Sequence, residues 1–373
     1  MKKVVIIGGG FGGVYAAKYL SKYPKDFEVT LISDNNYFLF TPLLHEVATG
    51  GLSEKSVAEP IREIFRKTKV RFIKERVLEV RKDKKIVKTE TGEISYDELI
   101  ISTGSESRPP EGAFSLKTLN DARVLRRRII DEVEKDYGKE ITFVVVGAGP
   151  TGIEVACELE EFLHDTLCDK YYPDMCHDHL RIVLIHSKDS ILEQFHKKVR
   201  DFSMKILKKK RIEIILSDRM AEYKDGKVTT DNGKVIDTNV LIWTAGVKAN
   251  NNLFDGEVDN YLKTKEGIYV VGDASGKGPM LAQKAVDEAL YVTRSIRGED
   301  DRPYVFQKKG MLLSLGNWMA AGEVGGFVIR GRFAWWVWRT IYLFKFNSNR
   351  KRLRIAFEWT VNLFFPRDIT AID

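Results

Sequence analysis

Only three cysteines occur in 373 residues, at Cys157, Cys168 and Cys176. They are too few and too clustered for a disulfide framework, and a reducing compartment suits such a chain. No apolar run reaches the roughly 20 residues that a membrane-spanning helix needs. Low-complexity tracts are missing, and a strand pattern opens at Lys2, so no signal peptide is expected. Acidic excess is missing too: the net charge is +7. That charge is concentrated. Positions 304–373 hold eleven Lys/Arg against four acids, so the preceding residues balance to zero. Five of the six Trp residues share this tail. A nucleic-acid footprint spread over the domains is therefore excluded, and no nucleic-acid partner is expected. Hydrophobic content of 43% and charged content of 30% are ordinary for a globular protein of two or three domains.

What the chain does have is glycine in a pattern. Positions 4–13 read VVIIGGGFGG, a β-branched run entering G-x-G-x-x-G at Gly8, Gly10 and Gly13. A buried strand there must turn sharply into a helix. The first glycine permits the turn, the second lets backbone approach a pyrophosphate, and the third lets helix and strand pack closely. The N–H groups opening the helix then face a ligand's negative charge. Ser33, followed by Asp34, stands where the next strand places a ribose-binding group.

The pattern recurs. Positions 141–152, ITFVVVGAGPTG, repeat it at Gly147, Gly149 and Gly152, 139 residues after the first copy. LIISTG, ending at Gly104, returns as LIWTAG, ending at Gly246. This is an internal duplication. A further strand, GIYVVGD at 267–273, closes the first half, so the second copy is inserted into the first. Helices are expected over 59–67, 120–137 and 279–296.

The fold class is therefore α/β: two Rossmann-like dinucleotide-binding domains, the second inserted in the first, plus a C-terminal helical module for membrane association. The expected domains are 1–108 with 252–303, 109–251, and 304–373. Two fingerprints imply two dinucleotides, and the economical chemistry is hydride transfer from a nicotinamide to a flavin. Reductases of this kind often pass electrons to a nearby cysteine pair, but FTPLLHEVATGG after the first unit holds no Cys. A thiol relay is not expected.

At this point the sequence resembles the type II NADH dehydrogenases, the single-subunit, non-proton-pumping NADH:quinone oxidoreductases. PLLHEVATG, WTAGVK and AWWVW carry the resemblance beyond the double fingerprint, together with IYVVGDAS and LAQKAVDEA. The resemblance implies FAD on Gly8, Gly10, Gly12 and Gly13, with Ser33, Thr103, Gly104, Gly272, Asp273 and Ala282 around it. It implies NADH on Gly147, Gly149, Thr151, Gly152, His186 and Gly246. Glu154 then matches an acid near nicotinamide and quinone, able to move protons toward reduced quinone, and Gln283 matches a residue lining the quinone pocket. The bland alternatives are a helix N-terminal Glu favoured by the dipole and an ordinary helix-start Gln. Glu46, beside His45, has two readings, a proton role and the more ordinary one of structural hydrogen bonding.

Two positions depart from the family pattern. Asp287 stands where a second Gln is usual. His186, with Ser187 and Lys188, replaces the acid that accepts from the adenosine ribose and repels a 2′-phosphate, which opens the site to NADPH. His164, Cys168, Cys176, His177 and His179 lie within sixteen residues, but their spacing fits no zinc pattern, and no metal is expected.

The tail reads as two amphipathic helices. In 333–346, FAWWVWRTIYLFKF, Arg332 and Arg339 share one face and Trp335, Trp338 and Tyr342 another, the aromatics suiting a membrane interface. In 349–365, Lys351, Arg354, Glu358 and Asn362 oppose Leu353, Phe357, Val361 and Phe364. Anionic lipids meeting 332–365 would hold the protein peripherally on the cytoplasmic side of the cell membrane, where a quinone is supplied from the leaflet. A packed two-helix cap and a homodimer surface are the other uses of such a tail. The rival functions are a sulfide:quinone oxidoreductase, which needs cysteines later in the chain, and a reductase of a soluble acceptor.

Overall fold

A computed structural model describes residues 1–135, 138–173 and 179–370. The chain divides into two compact units: 1–39 with 58–106 and 247–308, and 40–57 with 107–246 and 309–373.

The first unit is built on a five-stranded parallel sheet, ordered Tyr269–Val270, Glu98–Ile101, Lys2–Ile7, Phe27–Ser33, Arg71–Lys74. Val4 to Ile7 and Leu31 and Ile32 are fully or almost fully buried, as the β-branched run requires of a strand covered on both faces. The register sets Val4 beside Val29 and Ile6 beside Leu31, so the strand ends carrying Gly8 and Ser33 lie side by side. Helices Phe11–Leu20 and Ala282–Ile296 pack together in this unit. An antiparallel meander (Val77–Arg81, Ile86–Thr89, Glu93–Ser95) adds a second layer.

The helix expected over 59–67 forms only as the single turn Ile61–Ile64. Ala58–Pro60 is instead a strand paired with Tyr37–Leu39, Phe38 standing opposite Glu59. Pro60 explains the change, because proline holds the residue before it extended.

The second unit repeats the design with a four-stranded parallel sheet, ordered Glu213–Ile215, Leu180–Ile185, Ile141–Val146, Val240–Trp243. Its central strand is buried at every residue. Helix Pro150–Glu161 follows the second glycine turn, and Leu119–Lys135 stands where 120–137 was expected, positions 136–137 lying outside the described residues. The tail supplies an antiparallel sheet (Gly310–Ser314, Ala320–Val324, Phe327–Gly331) and helices Arg332–Lys345 and Asn349–Val361.

The division into units departs from the expected domains. The tail forms no body of its own, and 40–57 joins it in the second unit. The cause is polar as much as apolar. Glu358 accepts hydrogen bonds from the Ser53 N–H and from the Ser53 and Ser56 hydroxyls at 2.8–3.0 Å, and the Asn362 amide donates to the Gly51 carbonyl at 2.6 Å.

The facing of the tail helices is also corrected. Trp335 and Trp338 are buried rather than presented outward. Arg339 turns inward, its guanidinium 3.8 Å from the Trp335 ring and 4.8 Å from Trp359. In Asn349–Val361 the buried residues are Ile355 and Trp359, Glu358 is half-buried on Ser53 and Ser56, and Leu353 (74%) and Phe357 (69%) are exposed, so apolar side chains lie both inward and outward.

Candidate active site

The two glycine turns have nearly identical backbones. Gly8 has φ +111° and Gly147 φ +110°. A Cβ on Gly13 would lie 1.9 Å from the Gly8 carbonyl oxygen, and one on Gly152 would lie 1.8 Å from that of Gly147. A Cβ on Gly10 or Gly149 would meet nothing within 4 Å, so each helix start opens onto free space, and the N-cap glycine offers its N–H groups no side-chain cap. A concave, amide-lined cradle at a helix start is the donor set that a dinucleotide pyrophosphate requires. Both cradles fit one.

Around the first cradle the structure gathers the other residues picked out for FAD. Gly12 packs on Val271 and Ser102, and Ser33 ends its strand beside Gly9. The Thr103 hydroxyl donates to the Asn250 carbonyl at 2.6 Å, which makes it a structural tie as well. Asp273 is aimed by two contacts: Ser105 donates to its Oδ2 at 2.5 Å, and the preceding Gly272 N–H donates to Glu288 Oε2 at 2.6 Å. Glu288 is itself paired with buried Lys284 at 2.6 Å. Ala282 and Gln283 form the first turn of Ala282–Ile296, which carries no acid there. Asp287, the departure from pattern, accepts from the Tyr304 hydroxyl at 3.2 Å.

Around the second cradle, Thr151 opens the helix and Gly246 takes φ +114°. His186 follows the strand Leu180–Ile185, and its Nδ1 accepts the Ala148 N–H from the glycine turn at 3.2 Å. Burial, helped by Lys188 and opposed by Glu193, lowers its pKa. The neutral imidazole then carries its proton on Nε2, a donor where an acid would accept.

Glu154 lies one turn into the helix and is buried. Its Oε1 accepts the Ser314 N–H at 3.1 Å, and its Oε2 lies 3.9 Å from His45 Nδ1. Burial raises its carboxyl to about 8 despite the Ser314 hydrogen bond, with Glu158 and Glu46 adding to the rise. Glu46 accepts the Trp359 indole N–H at 2.6 Å. Its pKa is raised to about 7, mainly by burial and the charge of Glu158.

Sequence reasoning missed the groups beneath. Glu154, Glu158 and Glu161, spaced four and three apart, form one buried acidic stripe on the helix. That spacing, in GIEVACELEE, was the available signal. Arg367 answers it, 2.8 Å from Glu158 Oε2 and 3.3 Å from Glu161 Oε2, with Nη1 donating to the Thr49 hydroxyl at 3.0 Å. Lys210 reaches Glu161 at 2.8 Å. Burial alone would raise Glu158, but the charge and hydrogen bond of Arg367, with Lys210 beyond it, outweigh burial and hold its carboxyl low. Glu46, Glu158, Trp338, Arg339, Trp359 and Arg367 help to line a cavity with about 10 Å³ of room for a water centre, the scale of one water site.

Cys157 and Cys168 are buried, and burial pushes the Cys157 thiol far up, which makes it a poor nucleophile. Of the His/Cys run, Cys176 and His177 lie outside the described residues. Among the described residues no group of three or more His, Cys, Asp or Glu is placed to hold a metal ion.

Residues 2–289 match the family model described as pyridine nucleotide-disulphide oxidoreductase, and 309–368 match the NDH2 C-terminal domain. The type II NADH:quinone oxidoreductase NdhA of Mycobacterium tuberculosis is 30% identical over 96% of this chain and 87% of its own length. The chain belongs to the type II NADH:quinone oxidoreductase family. A probable NADH dehydrogenase of Dictyostelium discoideum is 28% identical over 99% of this chain and 91% of its own length. Among solved structures, NDH2 from Plasmodium falciparum in complex with NADH superposes with a TM-score of 0.87, at 20% identity and with 99% of each chain covered. The sulfide:quinone oxidoreductase of Aquifex aeolicus shares the fold with a TM-score of 0.73, at 20% identity, covering 100% of this chain and 96% of its own. For this family member, FAD and NADH are the nucleotides used, and its activity is electron transfer from NADH to a quinone.

Proposed function

We propose that the first unit holds FAD on Gly8, Gly10, Gly12 and Gly13, and the second takes NADH on Gly147, Gly149, Thr151 and Gly152. The observation that carries this reading is the repeated glycine turn, equal in backbone angle and close contact in both copies. Ser33, Thr103, Gly104, Gly272, Asp273 and Ala282 complete the flavin site, and His186 and Gly246 the nicotinamide nucleotide site. FAD, when bound, accepts the electron pair of a nicotinamide hydride and passes it on to a quinone. The protein's part is to orient, to exclude water and to supply protons: Glu154, held up at about 8, keeps a proton at neutral pH and is the acid that serves the reduced quinone. Gln283 lines the quinone pocket.

The Nε2–H of His186 favours an oxygen-rich 2′-phosphate as readily as a ribose hydroxyl, so NADPH joins NADH as donor. The test is steady-state oxidation of each coenzyme with a short-chain quinone, repeated with sulfide as donor. Sulfide oxidation without nicotinamide turnover would overturn the reading.

No described helix is long and apolar enough to cross a membrane. The protein instead lies on one, through Phe333, Trp336, Phe344, Leu353, Phe357, Phe364 and Phe365, all exposed. Arg350 and Arg354 meet anionic headgroups beside this apolar face. The cytoplasmic side is where NADH is supplied, and no proton pumping accompanies turnover. Self-association into a homodimer through the same face is the second reading. Flotation with vesicles against light scattering in detergent separates the two.

A further inference from the structure

Quinone reduction by NADH has a fixed proton balance. NADH, one proton and a quinone give NAD⁺ and a quinol: the hydride carries two electrons and one proton, and the second proton comes from solvent through the protein. Glu154 is buried, so after giving its proton it needs an internal route by which to regain one. This argument rests on the proposed role of Glu154.

The structure holds one group suited to that route. His45 is 3% exposed, on the short helix Leu44–Ala48. Its Nδ1 faces Glu154 Oε2 at 3.9 Å, a gap that a side-chain rotation of about 1 Å closes to hydrogen-bond distance. Its Nε2 is buried with no hydrogen-bond partner among the described residues. A histidine placed only for structure engages both nitrogens, because an orphaned buried N–H or lone pair costs about 1–3 kcal/mol. Glu158 is close enough to act on its charge, and Glu158 helps line the water-sized cavity with Glu46, Arg339 and Arg367.

We propose that His45 relays protons to Glu154 from the water-sized cavity lined by Glu46 and Glu158, making it a positioning residue for the proton step rather than a contact of the quinone. The imidazole takes a proton at one nitrogen and releases one at the other, then resets by a ring or tautomer change. The charges that face it are Glu154, Glu158 and Arg367, with Glu46 beside it on its own helix and Arg339 and Glu161 bounding the acids. Burial, with Arg367 and against Glu158, keeps the resting imidazole neutral down to about pH 4, so it holds one proton and one vacant lone pair throughout the working range. Arg367, 2.8 Å from Glu158, offsets the charge of that ionised acid.

The experiment compares wild type, His45→Asn and Glu46→Gln holoenzymes with two acceptors: a short-chain quinone, which needs protons, and ferricyanide, which takes electrons alone. In His45→Asn the quinone kcat should fall about tenfold or more. Its alkaline limb should move to lower pH and its solvent deuterium effect should grow, while ferricyanide reduction and bound flavin stay at wild-type levels. Glu46→Gln should move the same limb in the same sense. A wild-type limb and rate in His45→Asn overturns the relay, and so does an equal loss with both acceptors accompanied by flavin release. Wild-type enzyme that reduces ferricyanide but no quinone overturns the reading of Glu154 and the relay with it.

Discussion

The indole N–H of Trp359 donates to Glu46 Oε2 at 2.6 Å, joining residues 313 positions apart and both buried. One partner sits on the outermost tail helix, the other in PLLHEVATG. Trp359→Phe removes the donor together with part of a buried ring that packs on Trp338 and Arg339. It should cost at least the roughly 1–3 kcal/mol penalty of an unsatisfied buried acceptor. A thermal melt checks this, and an unchanged Tm would show that the bond contributes nothing net.

Burial gives Glu154 a pH signature. Its folded pKa of about 8 lies above the ordinary 4.5, so between those values the folded chain binds a proton that the unfolded chain has released. Stability from this group is complete below about pH 4.5 and is lost as pH rises toward 8. Glu154→Gln should therefore flatten the decline in Tm between about pH 4.5 and 8 while lowering quinone turnover about a hundredfold. A Tm profile parallel to wild type would refute the burial argument.

The two cradles should separate under equivalent substitutions. Gly13→Ala sets a Cβ against the Gly8 carbonyl and should yield protein without flavin. Gly152→Ala, which crowds Gly147 in the same way, should keep its flavin spectrum yet fail to be bleached by NADH without oxygen. Bleaching at the wild-type rate would remove the second unit from the hydride path.

Coenzyme choice hangs on His186. His186→Glu replaces an Nε2 donor by an anion and should lower kcat/KM for NADPH relative to NADH about tenfold or more, as a charge of the wrong sign would against a phosphate. Steady-state kinetics with both coenzymes read this directly. An unaltered ratio places the 2′ position elsewhere.

The outward apolar row gives the fifth test. Leu353→Asp with Phe357→Asp puts charges on exposed positions and leaves the Glu358 and Asn362 contacts in place. Flotation with anionic vesicles should be lost, and activity on a water-soluble quinone retained. Retained flotation would exclude this face as the lipid contact.

Much of the architecture was legible because glycine turns are local. Each fingerprint dictates strand, bend and helix within a dozen residues, so the duplicated sheets and the final strand at 269–270 were within reach of the sequence. Amphipathicity showed that each tail helix has two faces, but periodicity carries no sign for inward and outward. Trp335, Trp338 and Arg339 were accordingly assigned to the wrong side. Glu154 was legible by resemblance. Glu158 and Glu161 were not, because a Glu in a helix is ordinarily a solvated one, and their burial is made tolerable by distant cations: Lys210 for Glu161, and Arg367, 206 positions beyond Glu161, for both.

That long separation has a consequence for how the chain is made. At roughly 5–20 residues per second, the ribosome releases the acidic helix ten seconds or more before it adds the guanidinium that neutralises it. In that interval the carboxylates must stay hydrated or protonated, so the inner wall of this unit cannot seal early. Final compaction waits on a single late arginine, and a nascent chain stalled short of it should be the form that proteases find open.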